Sequence, residues 1–476
     1  MLETVNGTGT SRGGGRHAVV IGASLAGLLA AHVLADHADR VTVIERDRLP
    51  DGPEPRGGVP QSRHTHVLLT AGQQAFDELL PGITDELREH GAPHLGMPSD
   101  LVQWQAGSWY RRTEATAHIL TPSRPLLEWL VRRRVLANPR IETVQGTEAV
   151  GLLGDARRVR GVLLRERGAA AAAVGREPQP IAADLVVDAS GRGSRAPDWL
   201  TALGAERPEE ETLDTGLAYA TRVYRSPAGG SDYDDMDGHF IVPNVGQTYG
   251  AVVLPTEGDR WMVTLSGLRG AEPPTDDAGF TEFADRLPHP IVRRWLDGAK
   301  PESAALSYRT TANVRRRYDR PGRRPAGFLA TGDAQCVFNP IYGQGMTVAA
   351  LGAVALRDAL TDTRRTPTTR RVQKALFAAA RQAWDISAGS DKNMPGAEGS
   401  AAGGTVADRI SGWYLERVEL RATGDPVVGA AFREVLFLTA PVTSLFAPRI
   451  AKAVLFGPVR ATPPEPPLRR EEREEV

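Results

Sequence analysis

Cysteine is nearly absent from this 476-residue chain. Cys336 stands alone, so no internal disulfide can form and no cysteine cage for a metal is available. Lysine is almost as scarce, at positions 300, 374, 392 and 452 only, so nearly all of the 57 basic residues are arginine. No two of the eight tryptophans (104, 109, 129, 199, 261, 295, 384, 413) stand two residues apart. A charge surplus is missing too: 57 basic against 58 acidic residues gives no reason in net charge to expect a nucleic acid or an anionic surface as partner. No apolar run reaches the ~20 residues of a membrane span. The nearest, from Val435 to Phe456, is broken by Pro441, Pro448, Arg449 and Lys452 and reads as the cap of a core or apolar channel, with contact to a membrane surface as the lesser alternative. Residues 1–16 lack the apolar core of a secretory signal, which with the single cysteine leads us to expect a cytoplasmic protein. No Cys/His cluster has metal-ligand spacing and no GxSxG elbow occurs, so no metal is expected.

What the chain has is length, a 41% apolar composition that can fill more than one core, and two glycine-rich signatures far apart in sequence. Both ends, 1–16 and 461–476, are too polar or too rich in proline and charge to fold and are expected to be disordered. From His17, HAVVIG reads as a buried strand, Ser24 to Ala35 as a helix and RVTVIERD as a second strand, a βαβ unit. A Gly/Pro-rich loop follows at 51–66, helices at Leu68–Leu80 and Ser123–Leu136, a hairpin within Val144–Arg165, an Ala/Gly-rich surface loop at 168–176 and a buried strand at Leu185–Val187. Residues 212–318 change to strand patterns separated by turn chemistry such as PTEGDR. A helix is expected from Gly345 to Leu360, and 368–456 read as mainly helical. The fold class is therefore α/β: a nucleotide-binding lobe in two parts, 17–211 and 319–365, an inserted sheet domain at 212–318 and a helical region at 366–460.

In IGASLAG, Gly22 permits the strand-to-helix turn and Gly27 lets the helix pack on the strand, while the helix N-terminus offers unpaired N–H groups to a pyrophosphate. Ser24 replaces the usual middle glycine. Glu45, at the end of the second strand, is placed to accept from ribose hydroxyls and would repel a 2′-phosphate, so FAD or NAD is favoured over NADP. A plain nicotinamide enzyme needs only this motif. The second, TGDAQCVFNPIYGQGMT, puts Asp333 at the end of a short apolar strand, where it could bind ribityl hydroxyls, and Gly343-Gln344-Gly345 at the mouth of a long helix, where N–H groups could approach a flat ring. The pair points to one long cofactor held at both ends, FAD.

On these motifs the chain resembles the FAD-dependent monooxygenases of the para-hydroxybenzoate hydroxylase-like superfamily over roughly residues 17–360. The resemblance implies a Rossmann-type, glutathione reductase-like FAD-binding domain. Gly22, Ala23, Ser24, Ala26, Gly27, Glu45 and Arg46 would hold the adenosine end, Arg124 in SRPLLEWL the phosphates and Asp333 the ribitol. Pro340, Gly343, Gln344, Gly345, Met346 and Thr347 would lie against the isoalloxazine. It also implies oxygen transfer from a C4a-hydroperoxyflavin, with O2 as co-substrate. The middle motif, VVDASGRGSR with Asp188, Gly191, Arg192 and Ser194, departs from the family's Asp-Gly pattern. Electrons from NAD(P)H would then arrive directly or through a partner flavin reductase. RGGVPQSRHTH, ASGRGS and NPIYGQGMT are similar to actinobacterial epoxidases that act on polyene precursors of polyether ionophores, and this implies an apolar polyketide substrate, free or carrier-bound.

An alkene needs no base, so no catalytic residue is assigned. His64 and His66 admit two readings, beside the flavin or holding loop backbone. Cys336 reads as a core residue. Strand alternation offers Tyr219, Thr221, Phe240, Val242, Val253 and Met262 as pocket walls without revealing which parity faces inward. Aromatic hydroxylation of a polyketide remains an alternative, as does a flavin-dependent reductase of the geranylgeranyl type. A flavin halogenase is disfavoured because no Trp-x-Trp pair exists and no lysine precedes Lys300.

Overall fold

The computed structural model describes residues 15–167, 177–225, 236–320, 322–403 and 406–469. The Ala/Gly-rich segment 168–176 and most of the N-terminal stretch lie outside the described residues. The expected α/β architecture is present. Five parallel strands run in the order Phe328–Ala330, Leu185–Asp188, His17–Ile21, Arg40–Glu45, Ile141–Gln145. Every residue of His17–Ile21 is buried, as a strand flanked on both sides and covered on both faces requires. The order explains how motifs distant in sequence meet: the strand before Asp333 joins this sheet two places from the strand before Gly22.

Helix Leu25–Leu34 buries eight of its ten residues between the sheet, helix Arg124–Leu136 and helix Gly345–Thr361. Gly22 has φ +103° and Gly27 faces the Gly22 carbonyl so closely that a Cβ there would lie 1.9 Å from its oxygen. Thr147–Gly154 and Val159–Glu166 form the expected hairpin, extended by Gln179–Ala182 into a three-stranded antiparallel sheet.

The second lobe is an eight-stranded sheet built mainly on Ala218–Arg225, His239–Ile241, Gly250–Thr256 and Arg260–Gly267. Two of its strands, Val102–Gln105 and Ser108–Trp109, come from well before residue 212. Conversely, Asn313–Arg316 leaves it to pair with Glu210–Leu213 and Cys336–Val337. A linear boundary cannot express this exchange. One face of the sheet, carrying Ala220, Ala251, Val253, Val263 and Leu265, is sealed by helices Asp277–Phe283 and Ile291–Gly298 through Phe280, Val292 and Trp295. The opposite face, with Tyr219, Thr221, Phe240, Val252, Met262 and Thr264, turns toward the first lobe.

Helices Thr369–Asp391, Val406–Gly424, Pro426–Leu436 and Pro448–Phe456 make up the helical region. Among the described residues no helix is long and apolar enough to cross a membrane. The tail corrects one expectation: residues 461–469 are placed rather than disordered. Leu468 packs against the second-lobe core, and the fully buried Arg112 donates to the carbonyls of Pro467 and Leu468. A buried guanidinium needs acceptors, and this proline-rich segment supplies them together with the Ser99 carbonyl.

Candidate functional site: a dinucleotide cleft joined to an interlobe face

The two glycine-rich motifs touch. A Cβ on Gly332, whose φ is +56°, would lie 2.6 Å from the Cβ of Ala26, so only glycine lets the distal turn approach the first helix. Asp333 follows in a short 3-10 turn. Burial raises its pKa, and the charges of Arg124, Arg192 and Arg316 work against that rise. Arg124, expected at the phosphates, therefore stands between the two ends of the site. Its Nη2 donates to Ser24 Oγ at 2.6 Å and pairs with Glu128, one helical turn along, at 3.3 Å.

Ser24 occupies the N-cap position of the first helix without capping it. Its hydroxyl is turned sideways to donate to Glu128 Oε2 at 3.1 Å. Glu45 is buried at the strand end, and its carboxylate accepts from the backbone N–H of Ala23 (2.8 Å) and Asp47 (3.0 Å). The same carboxylate lies 3.2 Å from Arg56, which also meets Asp47 at 3.3 Å, Glu128 at 2.7 Å and the Ala23 carbonyl at 3.2 Å. Burial alone would lower the Arg56 pKa, but Glu128 and Glu45 outweigh it and hold it above the ordinary value. Glu128 is buried as well, yet Arg124 and Arg56 hold its carboxyl below the usual range. Arg46 points outward, donating to the Gly58 carbonyl at 3.2 Å. Arg56 and Glu128 were not singled out in the sequence. Arg56 sits in an aperiodic Gly/Pro loop, whereas the Arg124–Glu128 spacing on a helix was a readable signal.

The middle motif closes the cleft from the side. Asp188 is fully buried, accepting from the Ser190 N–H at 3.0 Å and the Ser194 hydroxyl at 2.5 Å, and burial raises its pKa. Ala189 packs against Gly22 and Gly27. Arg192 donates to the Ala312 carbonyl at 2.7 Å.

A buried polar bracket holds the distal motif. Asp391, near the end of helix Thr369–Asp391, accepts from Tyr342 Oη at 2.7 Å, Asn313 Nδ2 at 2.7 Å and Asn339 Nδ2 at 3.0 Å. Asn313 Oδ1 in turn accepts from the Asn339 N–H at 2.8 Å and the Ser387 hydroxyl at 2.6 Å. The bracket fixes the turn Pro340–Tyr342, and Gly343 then takes φ +64° with Val67 against it. Cys336, behind the turn, is buried in an apolar cluster with Trp384 and Val348, and burial pushes its thiol pKa up, which is the state of a core residue.

The loop between the lobes carries the two histidines. His64 Nδ1 meets Thr221 Oγ1 at 2.8 Å, Thr221 meets Thr264 at 2.6 Å and Thr264 meets Thr65 at 2.8 Å. The His64 ring packs edge-on to Tyr219 (4.9 Å) and Tyr308 (5.5 Å). Burial lowers its pKa to about 4. His66, bonded to the His64 carbonyl at 2.8 Å, is lowered to about 3 by burial and by Arg124. Both are neutral near pH 7. This settles the parity of the expected walls: Tyr219, Thr221, Phe240 and Met262 share the interlobe face, whereas Val253 points the other way into the helix-sealed core. Val242 follows the end of its strand. Thr264 and Val252 join the face, unremarked in the sequence because parity needs the register.

The cleft fits FAD. Ser190 Oγ, Gln344 Oε1 and Thr347 Oγ1 are buried at its edges without a protein partner, and Gly22, Gly27, Gly332 and Gly343 pack so closely on neighbouring protein atoms that a side chain at any of them would push the cleft's walls apart. Residues 16–373 match the family model described as FAD binding domain. The chain belongs to this FAD-binding family. It is 40% identical over 361 residues to Protein Rv3254 of Mycobacterium tuberculosis (strain ATCC 25618 / H37Rv), covering 72% of this chain and 73% of that one. Its fold is shared with p-nitrophenol 4-monooxygenase PnpA from Pseudomonas putida DLL-E4 (TM-score 0.60, 18% identity, 89% of this chain and 97% of that one). It is also shared with the flavin-dependent brominase Bmp2 (TM-score 0.62, 14% identity, 88% and 93%).

Proposed function

We propose that this flavoprotein is a monooxygenase that delivers one oxygen atom of O2 to an electron-rich, apolar small molecule, with epoxidation of alkenes in a polyene or polyketide precursor as its reaction. One observation carries the reading. The interlobe face presents Tyr219, Thr221, Thr264, Phe240 and Val252, and the charged side chains of that parity on these strands, Arg225 and Arg260, sit exposed at the far end of their strands, away from His64. Its nearest imidazoles are held neutral. Such a surface suits a substrate that needs orientation and exclusion of water rather than deprotonation. Bound FAD supplies the two-electron chemistry and activation of O2 that no side chain here can provide. The second oxygen atom leaves as water, with a hydride (two electrons and one proton) from NAD(P)H, directly or through a flavin reductase, and one further proton from solvent.

The chain's own work is then positional. Asp333 holds the distal part of the cofactor and Arg124 its phosphates between the ends, the Asp391 bracket holds the distal turn, and Val67, Phe240, Val252 and Phe437 supply apolar packing beside it. Aromatic hydroxylation is the second reading, supported by the stacked Tyr219–Tyr308 pair (5.3 Å), which offers a flat side to a ring. A reductase that saturates a prenyl chain is the third. Incubating the FAD-loaded protein with a flavin reductase, isotopically labelled O2 and polyene or phenol candidates separates the three. An epoxide with one labelled oxygen is expected; a labelled phenol favours hydroxylation, and a saturated product without oxygen uptake overturns the monooxygenase reading.

A further inference from the structure

Large apolar side chains left in solvent are unevenly placed. Among the described residues, seven of the nine exposed ones lie between 413 and 459, Trp413, Leu420, Phe446, Leu455, Phe456 and Val459 among them. Phe456 and Val459 are 82% and 83% exposed, so they stand out from the surface rather than line a groove. They form one neighbourhood. Trp413 and Leu420 are two turns apart on helix Val406–Gly424, Phe446 stacks on the adjoining Tyr414 at 4.7 Å, and Arg421 donates to the Pro458 carbonyl at 2.6 Å.

Among the exposed charges around these tips, cations outnumber acids. From residue 435 to 464 the sequence holds no aspartate or glutamate, and Arg449 and Lys452 are exposed with no ion pair among the described residues. Arg417 lies over the Trp413 ring at 4.5 Å, and Arg460 pairs with Asp425 at 3.6 Å. Glu416 stands exposed between Trp413 and Leu420 on the same helix face, with Glu419 on the next turn. The near-zero net charge of the whole chain conceals this local bias.

We propose that this surface of the helical region docks on an anionic lipid bilayer, with the apolar tips entering the interface and Arg449, Lys452 and Arg417 meeting headgroup phosphates. Protruding aromatic and aliphatic tips flanked by cations are the arrangement an interfacial contact requires. A second copy of the chain is a poorer occupant, because a self-paired patch would set the exposed cations Arg417, Arg449, Lys452 and Arg460 of each copy against one another with fewer exposed acids, Glu416 among them, to offset them. The proposal does not depend on which substrate is oxidised.

The test uses the full-length, FAD-loaded protein and two sets of vesicles, phosphatidylcholine alone and phosphatidylcholine with phosphatidylglycerol. Co-sedimentation with the second set is expected, weakened by high salt. A Phe456→Ser/Val459→Ser variant should partition about tenfold less, and Arg449→Gln/Lys452→Gln should lose the preference for anionic vesicles. Retained FAD and an unchanged flavin spectrum would show that the variants are folded. The proposal is overturned if neither vesicle set binds the protein, or if the serine variant binds as well as the parent. It is equally overturned if light scattering finds a dimer that the serine variant dissolves, or if a purified acidic carrier protein binds the patch while vesicles do not.

Discussion

Asp391→Ala would remove the acceptor shared by three buried donors: Tyr342 Oη, Asn313 Nδ2 and Asn339 Nδ2. Each donor left buried without a partner costs about 1–3 kcal/mol. Some of that is returned, because burial already disfavours the Asp391 charge and raises its pKa. The net loss should be on the order of 3 kcal/mol, a large fraction of the ~5–15 kcal/mol that holds a domain together. The loss should fall on the distal turn first, since Asn339 and Tyr342 both flank Pro340. Urea unfolding of FAD-free and FAD-loaded protein, followed by tryptophan and flavin fluorescence, reads both effects. Weaker FAD retention together with an earlier midpoint is expected, and Tyr342→Phe, which removes one bond of the three, should cost about 1 kcal/mol. A D391A protein with parental midpoint and parental FAD affinity would refute the reasoning.

Acid should weaken the fold through its neutral histidines. His64, His66 and His239 are lowered from 6.5 to about 4, 3 and 4 by burial, so the stability they contribute is complete above pH 6.5 and is lost as pH falls toward those values. The loss is about 1.4 kcal/mol per pH unit for each histidine, and His64→Gln should make the measured slope between pH 6 and pH 4 shallower by about that amount. Val252→Trp should leave FAD bound and cut turnover about tenfold or more by filling the interlobe face. Val253→Trp, one residue on and fully buried, should instead overpack the helix-sealed core and cost about 1–3 kcal/mol of stability; similar turnover losses with similar stability for both would show that the face is misassigned. Gly332→Val should drive a side chain into Ala26 and reduce FAD affinity about tenfold or more, measured by titration.

The βαβ start, the distal Gly-Asp turn, the second sheet and the helical region were all legible, because buried parallel strands read as continuous apolar runs and glycines mark tight turns. One cofactor held at both motifs was read from the sequence; the contact of Gly332 with Ala26 was not, and it follows from the order of the central strands. What was not legible depends on pairing at long range. Arg56 lies in a loop without periodicity, and Asp391 reaches the distal motif only through the packing of a helix whose own pattern shows nothing of its target. Strands 102–105 and 108–109 join a sheet whose other members begin a hundred residues later, so no local signal could assign them. Wall parity waited on the same register.

The central claim is that one FAD lies between the turn at Gly22 and the turn at Asp333. Titrating FAD into cofactor-stripped protein tests it most directly. The account predicts saturation at one FAD per chain, with affinity lost both in Gly332→Val at the distal end and in Arg124→Ala between the ends. A colourless protein that takes up no FAD, or one whose uptake is indifferent to both substitutions, would contradict it.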